Sequence, residues 1–406
     1  MPMGTGVINR VLCTALLGAA ALGNISVRTP QPPSPQKTLI RPDTATVCIL
    51  GDMMMHSGQI AEGGWRESLR FIRPMLEEAT LSIANMEFTL GGRPYSGYPC
   101  FSAPEDYALM AADCGIDVFL TANNHITDRG AAGLRRTLDI YGRMHDSLGI
   151  FTTGCDSLKG PLFVRANNIR IGIVNAAYGT NSGTCGTPVN LLSDRQRLHR
   201  AIQASDSLAD FTIVLPHWGE EYRLRHNPMQ ERTAMELAEA GADIIVGAHP
   251  HVVQDTTALF IGDKAMTDGF ATDSLSSEND VPLRHQRKVP VIYSLGNALS
   301  NMSAVNTQLE LMARLTLVRD PWGTRLVSTE LIWLWCSRPG GFDSHYTVIP
   351  VEDYLDRREL WANPYDNEKM VSTYRRVRGI VSPEQDIVPS GQIFEKNTEN
   401  NSPSIR

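Results

Sequence analysis

At 406 residues the chain is long enough for one large domain or two of ordinary size. Hydrophobic residues make up 42% of it and charged residues 20%, the balance of a globular rather than a disordered protein. A net charge of −7 supplies no broad basic field, so no nucleic-acid partner is expected.

The amino end reads as an export signal over residues 1–23. Arg10 precedes the apolar run from Val11 to Leu22, and Ala21-Leu22-Gly23 is a small-residue cleavage pattern before Asn24. An uncleaved amino-terminal membrane anchor is the alternative, although the run falls short of the about 20 apolar residues that a span requires. Export predicts an extracytoplasmic location, periplasmic or associated with the cell envelope. Six cysteines follow the signal, namely Cys48, Cys100, Cys114, Cys155, Cys185 and Cys336. An oxidising compartment permits disulfides among them, but the sequence fixes no pairing. Cys48 falls within a strand pattern and reads as a buried thiol. No C-x-x-C occurs, so a thiolate zinc site has no support.

Residues 24–44 form a proline-rich linker. The first strand is predicted over Thr46 to Leu50, closed by Gly51 and followed by Asp52. A helical pattern covers Trp65 to Glu78, and the apolar segment Leu81 to Met86 ends at Glu87. Ser102-Ala103-Pro104-Glu105 resembles a capping box that opens a helix running to Cys114. A strand over Asp117 to Thr121 then delivers Asn123, Asn124 and His125. Gly130 to Leu148 is an amphipathic helix, on which His145 reads as a packed residue and not a ligand. Strands at 162–165, 170–174, 211–215 and 244–246 alternate with helices at 193–208 and 229–240, the rhythm of a layered α/β domain. Residues 255–288 are polar and aperiodic, either a lid over the site or an unrelated surface insertion. Core strands return at 289–293 and as a hairpin around Asp320 to Gly323, so the main domain spans 45–350 and an extension with a disordered tail spans 351–406.

Five polar stretches each follow an apolar run, and the sharpest is His249-Pro250-His251 after Asp243 to Gly247. The proline fixes the backbone between two imidazoles that can then turn into one cavity. Asp52, Glu87, Asn124, His217, His249 and His251 together offer carboxylate, amide and imidazole donors. Such a mixed oxygen and nitrogen set suits one or two divalent ions, Mn, Fe or Zn. An ion held there could generate hydroxide near neutral pH and polarise a phosphoryl or carbonyl oxygen. His125 is placed to protonate a leaving group. Asp128 either orients that histidine or caps the helix beginning near Arg129. Glu221 either orients His217 or sits on a solvated turn.

Taken in order, Gly51-Asp52, Asn85-x-Glu87, Ala122-Asn-Asn-His125-x-x-Asp128-x-Gly130, His217-Trp-Gly-x-Glu221-Tyr222, Gly241-Ala-Asp-x-x-Val-Gly-x-His249-Pro-His251-Val and Tyr293-Ser-Leu-Gly-Asn297 resemble the CapA family of capsule and poly-γ-glutamate synthesis proteins. That family is similar to the calcineurin-like metallophosphoesterases. The resemblance covers about residues 46–300. It implies an α/β fold, the four-layer αββα sandwich, with metals at the strand ends. It also implies that Asp52 is a bridging carboxylate, that Asn124, His217, His249 and His251 are ligands, and that His125 is the acid. Two positions depart from the superfamily pattern. Met54 stands where a second ligand histidine is expected, with His56 nearby, and Glu87 stands in place of an aspartate. The expected function is therefore an exported metal-dependent hydrolase or transferase. It acts on a phosphate ester or on the γ-amide or carboxylate of an anionic surface polymer, alongside membrane-bound capsule synthesis or export proteins. The alternative is a scaffold that binds metal or polymer without turnover, which the loss of histidine at Met54 favours.

Overall fold

The computed structural model describes residues 43–183, 186, 188–262 and 286–381. The export signal, nearly all of the proline-rich linker, Cys185, residues 263–285 and the tail beyond 381 lie outside the described residues. The chain runs through β1 (Asp43–Met53), α1 (Ser57–Glu62), α2 (Arg73–Glu78), β2 (Leu81–Met86), α3 (Glu105–Asp113), β3 (Val118–Leu120), α4 (Gly130–Leu148) and β4 (Phe151–Thr153). It continues through β5 (Leu162–Ala166), β6 (Ile169–Ala177), α5 (Arg195–Leu208), β7 (Phe211–His217), α6 (Pro228–Ala240), β8 (Ile244–Val246), β9 (Thr256–Gly262) and β10 (Gln286–Ile292). The last elements are β11 (Leu309–Asp320), β12 (Gly323–Ser337), β13 (Thr347–Pro350) and α7 (Pro364–Val381).

Among the described residues these strands form two sheets. The first has seven strands in the order β13-β12-β11-β1-β2-β3-β4, and the second six in the order β5-β6-β7-β8-β10-β9. Strands β1 to β4 run parallel, as do β6, β7, β8 and β10. Alternation along β1 shows how the layers arise. Val47 and Ile49 point inward to a core shared with Ile171, Ile173 and Ile213 of the second sheet. Cys48 and Leu50 point outward to a second core that holds Leu76 of α2, Tyr107 of α3 and Ile140 of α4. The second sheet turns Val174, Val214 and Ile245 outward against Leu198 and Ile202 of α5 and Leu237 of α6. Both faces of the central strands are buried, which explains their unbroken apolar runs. The architecture is the predicted αββα sandwich, with helices on the two outer faces. No helix among the described residues is long and apolar enough to cross a membrane.

Four local expectations change. The helix expected over 65–78 is a 3₁₀ turn at Trp65–Glu67 followed by α2 alone. Pro74 lacks an N–H and sits in a helix's first turn, so it starts α2 instead of extending an earlier helix. Ser102 caps nothing: its hydroxyl donates to Gly92 O at 2.7 Å, and Pro104 is the N-cap of α3. The ends of the segment expected to be an insertion over 255–288 are strands, since β9 and β10 pair antiparallel from Thr256↔Ile292 to Gly262↔Gln286. Nor does packing stop at residue 350, because Trp361, Met370, Tyr374 and Val377 join the inner core.

Cys48, Cys100, Cys114, Cys155 and Cys336 are free thiols. Burial pushes the thiols of Cys48 and Cys114 up to about 11 and those of Cys155 and Cys336 up to about 12, whereas Cys100 is exposed. Thiolate is the reactive form. Among these five, a thiol reagent near neutral pH should therefore label Cys100 in the native protein and reach Cys48 and Cys336 only after unfolding. Peptide mass mapping reads this directly, and prompt native labelling of Cys48 would contradict the packing described.

Candidate metal centre

Parallel strands deliver their exits to one edge of a sheet, and that edge is where α/β proteins place their sites. Asp52 is the next-to-last residue of β1, Glu87 follows β2 and Asn124 follows β3, all in the first sheet. His217 ends β7, and His249 and His251 follow β8, all in the second. Asp52 faces the second sheet because of a bulge. Leu50 pairs with Ala84 but Asp52 pairs with Asn85, so Gly51 is an extra residue in the ladder. One inserted residue reverses which face every later side chain occupies. Without the bulge Asp52 would point into the outer core.

The carboxylate of Asp52 is fully buried. Its Oδ1 accepts from Asn85 Nδ2 at 2.7 Å, and its Oδ2 accepts from the His249 backbone N–H at 3.1 Å. His251 Nδ1 lies 3.3 Å from Asp52 Oδ2 and 2.9 Å from Asn297 Oδ1. His217 Nε2 lies 2.7 Å from Asn124 Oδ1 and 3.7 Å from Glu87 Oε1. Ligand atoms of Glu87, His249 and His251 come within 4.8 Å of one another, and so do those of Asp52, Glu87 and His217. All six residues predicted as ligands thus meet in one place. Glu87, and not Asp52, is the carboxylate common to both groups.

Burial pushes the Glu87 carboxyl well above its ordinary range, and the Asp52 charge adds to the shift. For Asp52 burial also pushes upward, but the His251 contact together with His217 and Asn85 outweighs it and holds the carboxyl low. Burial takes His217 down to about 3 and His249 well below its ordinary value, so both rings are neutral. His251 is the exception. Burial pushes it down, but its bond to Asp52 carries it above the ordinary histidine value. Neither Asp52 nor Glu87 is paired with Lys or Arg among the described residues. Both oxygens of Glu87 and Nδ1 of His249 are buried without a hydrogen-bond partner. Buried polar groups are rarely left so, and a buried carboxylate needs a compensating cation. The donor set therefore fits a divalent ion held through oxygen and nitrogen.

His125 sits beside this cluster, next to Asn124. Its Nδ1 is 2.7 Å from Asp128 Oδ2, which also accepts the Phe101 backbone N–H at 2.8 Å. Of the two expectations for Asp128, the geometry gives contact with the histidine. The N-cap of α4 is Arg129, and no side chain caps it. The Phe101 ring packs edge-on against His125 with centroids 4.6 Å apart, and Asn181 Nδ2 lies 3.4 Å from both ring nitrogens.

Position 54 contributes no ligand. The Met54 side chain packs in the outer core, and its carbonyl accepts from Gln59 Nε2 and the Tyr107 hydroxyl. His56 does not substitute for it, because its Nδ1 accepts the Asn301 backbone N–H at 3.3 Å and lies in neither ligand group. Glu221 is exposed on its turn, and it is Asn85 and Asn124 that contact the His217 ring. Arg223 pairs with Glu220 and Arg225 with Asp255. Sequence reasoning assigns no role to Asn85, Asn123 or Asn297. The available signal is position: Asn123 adjoins Asn124, Asn85 stands two residues before Glu87, and Asn297 lies in the turn after β10. Asn181 and Tyr178, which packs on His249 with centroids 4.6 Å apart, give none.

The His249-Pro250-His251 turn carries strain. His249 has φ +102° and His251 φ +58°, in the region that favours glycine. His249→Gly should therefore be more stable than His249→Ala by about 1–2 kcal/mol in the metal-free chain, read by denaturant unfolding. Equal stabilities would mean that the turn is unstrained.

Residues 46–302 match the family model described as bacterial capsule synthesis protein PGA_cap. The chain belongs to this family. Two known proteins resemble it in sequence. It is 29% identical over 226 residues to the capsule biosynthesis protein CapA of Bacillus anthracis, covering 52% of this chain and 55% of the relative. It is 25% identical over 223 residues to the PGA biosynthesis protein CapA of Bacillus subtilis (strain 168), covering 52% of this chain and 59% of the relative. The chain thus spans little more than half the length of these capsule synthesis proteins. Among solved structures, a 5'-nucleotidase from Candida albicans SC5314 is similar at 10% identity and TM-score 0.38, over 83% of this chain and 58% of that one.

Proposed function

We propose that this family member is an exported metal-dependent hydrolase or transferase of capsule synthesis. Its substrate is a phosphate ester or the γ-amide of an anionic surface polymer, and its partners are membrane-bound capsule synthesis or export proteins. The observation that carries the reading is the Glu87 carboxylate, buried with both oxygens unpartnered between His217 and His251. Asp52, Glu87, Asn124, His217, His249 and His251 would hold one or two ions of Mn, Fe or Zn. A bound ion of this type polarises a phosphoryl or carbonyl oxygen and lowers the pKa of a water to near neutrality. Asp128 holds His125 by Nδ1, which leaves Nε2 to give a proton to the departing group. Asn85 and Asn297 fix the rings and carboxylate around which substrate would bind. The names of the two relatives support a capsule polymer or poly-γ-glutamate as the material acted on. The apolar run and cleavage pattern before Asn24 support export.

The test is elemental analysis of the untagged protein beside His249→Ala, His251→Ala and His125→Ala, with turnover of phosphoester and γ-glutamyl substrates. The two ligand variants should lose bound metal. His125→Ala should keep it and lose turnover by about 10²–10⁴-fold. A second reading, a scaffold that binds metal or polymer without turnover, is favoured by Met54 packing where a ligand would stand. Unchanged function in His125→Ala with metal retained would select that reading. A parent protein that takes up no metal would remove the hydrolase.

A further inference from the structure

Glu310 is a buried carboxyl that the metal centre does not use. It lies on β11, 1% exposed, with Met312 and Leu334 of the outer core as neighbours in the sheet. It pairs with no Lys or Arg among the described residues. Its Oε2 has no hydrogen-bond partner, while its Oε1 accepts the Gly51 backbone N–H at 2.8 Å. A hydrophobic residue would sit in this place at lower cost. The reason for a carboxyl lies in the bulge. Regular pairing of β1 with β11 stops at Ile49↔Ala313. Beyond it the bulge leaves two successive N–H groups, those of Gly51 and Asp52, to be satisfied from the loop and strand alongside. The Gly296 carbonyl takes the Asp52 N–H at 3.0 Å, and Glu310 takes the Gly51 N–H. Gly296 and Glu310 are themselves joined by an isolated bridge, so the two acceptors form one local frame.

We propose that Glu310 is a positioning residue of the metal centre: by accepting the Gly51 N–H it holds the bulge that turns Asp52 toward the second sheet. Its bearing on metal rests on the proposed function above, whereas its hold on the bulge does not. An outward-facing side chain on a strand that supplies no ligand would thus set the aim of the central carboxylate. Glu310→Met keeps the length and unbranched shape without an acceptor. Glu310→Gln keeps both the shape and the acceptor.

The experiment uses the full chain and two readouts. One is affinity for Mn²⁺ and for Zn²⁺, each added alone. The other is amide hydrogen exchange at Gly51, resolved by NMR. Glu310→Met should bind either ion about 10–100-fold more weakly and exchange Gly51 faster, and Glu310→Gln should restore both. Parental affinity and parental Gly51 protection in folded Glu310→Met would overturn the proposal. Should that variant not fold, the parent decides, because a Gly51 amide exchanging as fast as an exposed loop is incompatible with the hydrogen bond proposed. A parent that binds neither ion removes the metal reading, and Gly51 exchange in the variants still decides whether Glu310 holds the bulge.

Discussion

Asp52→Asn is expected to abolish metal binding and to destabilise the metal-free chain by about 1–3 kcal/mol. Both oxygens of Asp52 are acceptors, Oδ1 from Asn85 Nδ2 and Oδ2 from the His249 N–H, and His251 Nδ1 lies against Oδ2 as well. A carboxamide has a single acceptor oxygen, so either orientation sets its NH₂ against a donor in a buried place. The substitution also removes the negative charge that raises the His251 imidazole above its ordinary value. Metal content by elemental analysis and the midpoint of denaturant unfolding measure the two effects separately. Retention of stoichiometric metal would show that the centre is not built on Asp52.

Gly51→Ala is the second change with a large expected effect. A Cβ at Gly51 would lie 2.0 Å from the Gly296 carbonyl oxygen and 3.0 Å from its carbon. Both obstacles are backbone, and that carbonyl already accepts the Asp52 N–H at 3.0 Å. No rotamer change relieves the overlap, so the loop must move and the Asp52 hydrogen bond must lengthen. A loss of about 3 kcal/mol or more is expected, with weaker metal binding in whatever folds. Gly142→Ala is the matched control. Gly142 lies within α4 and a Cβ there meets nothing within 4 Å, so the change should stabilise by about 0.5–1 kcal/mol. Thermal unfolding of the pair tells a steric effect at Gly51 from a general response to alanine.

The fold and the gathering of the site are legible in the sequence because both follow from local patterns. Apolar runs at β1, β2, β3, β7 and β8 mark the strands, and each ends on a polar residue whose direction the parallel sheet then fixes. What escapes the sequence depends on contacts distant along the chain. Gly51 has the look of a strand's end, yet β1 continues to Met53 with a bulge, and nothing local to Gly51 announces that Glu310 meets it. Asp128 suits a cap and an orienting group equally, and only the fold brings Phe101 N and His125 Nδ1 to the same oxygen. The helix pattern over 65–78 fails for a readable reason, since Pro74 lies within it. The sharing of Glu87 by both ligand groups is out of reach, because it depends on how far apart the two sheets stand.

That separation has a mechanical side. Three of the six residues belong to the first sheet and three to the second, above an apolar inner core. At the opposite rim polar links such as Asn167 Nδ2 to Thr44 O and Arg319 with Asp210 also join the sheets. An ion at the strand ends would act as a rivet through the seam between two slabs. Its removal would let the slabs part first at that rim, ahead of the core. Occupancy and the cohesion of the sandwich would then be one quantity, and a protease acting on the loops after β1, β2, β7 and β8 would sense it.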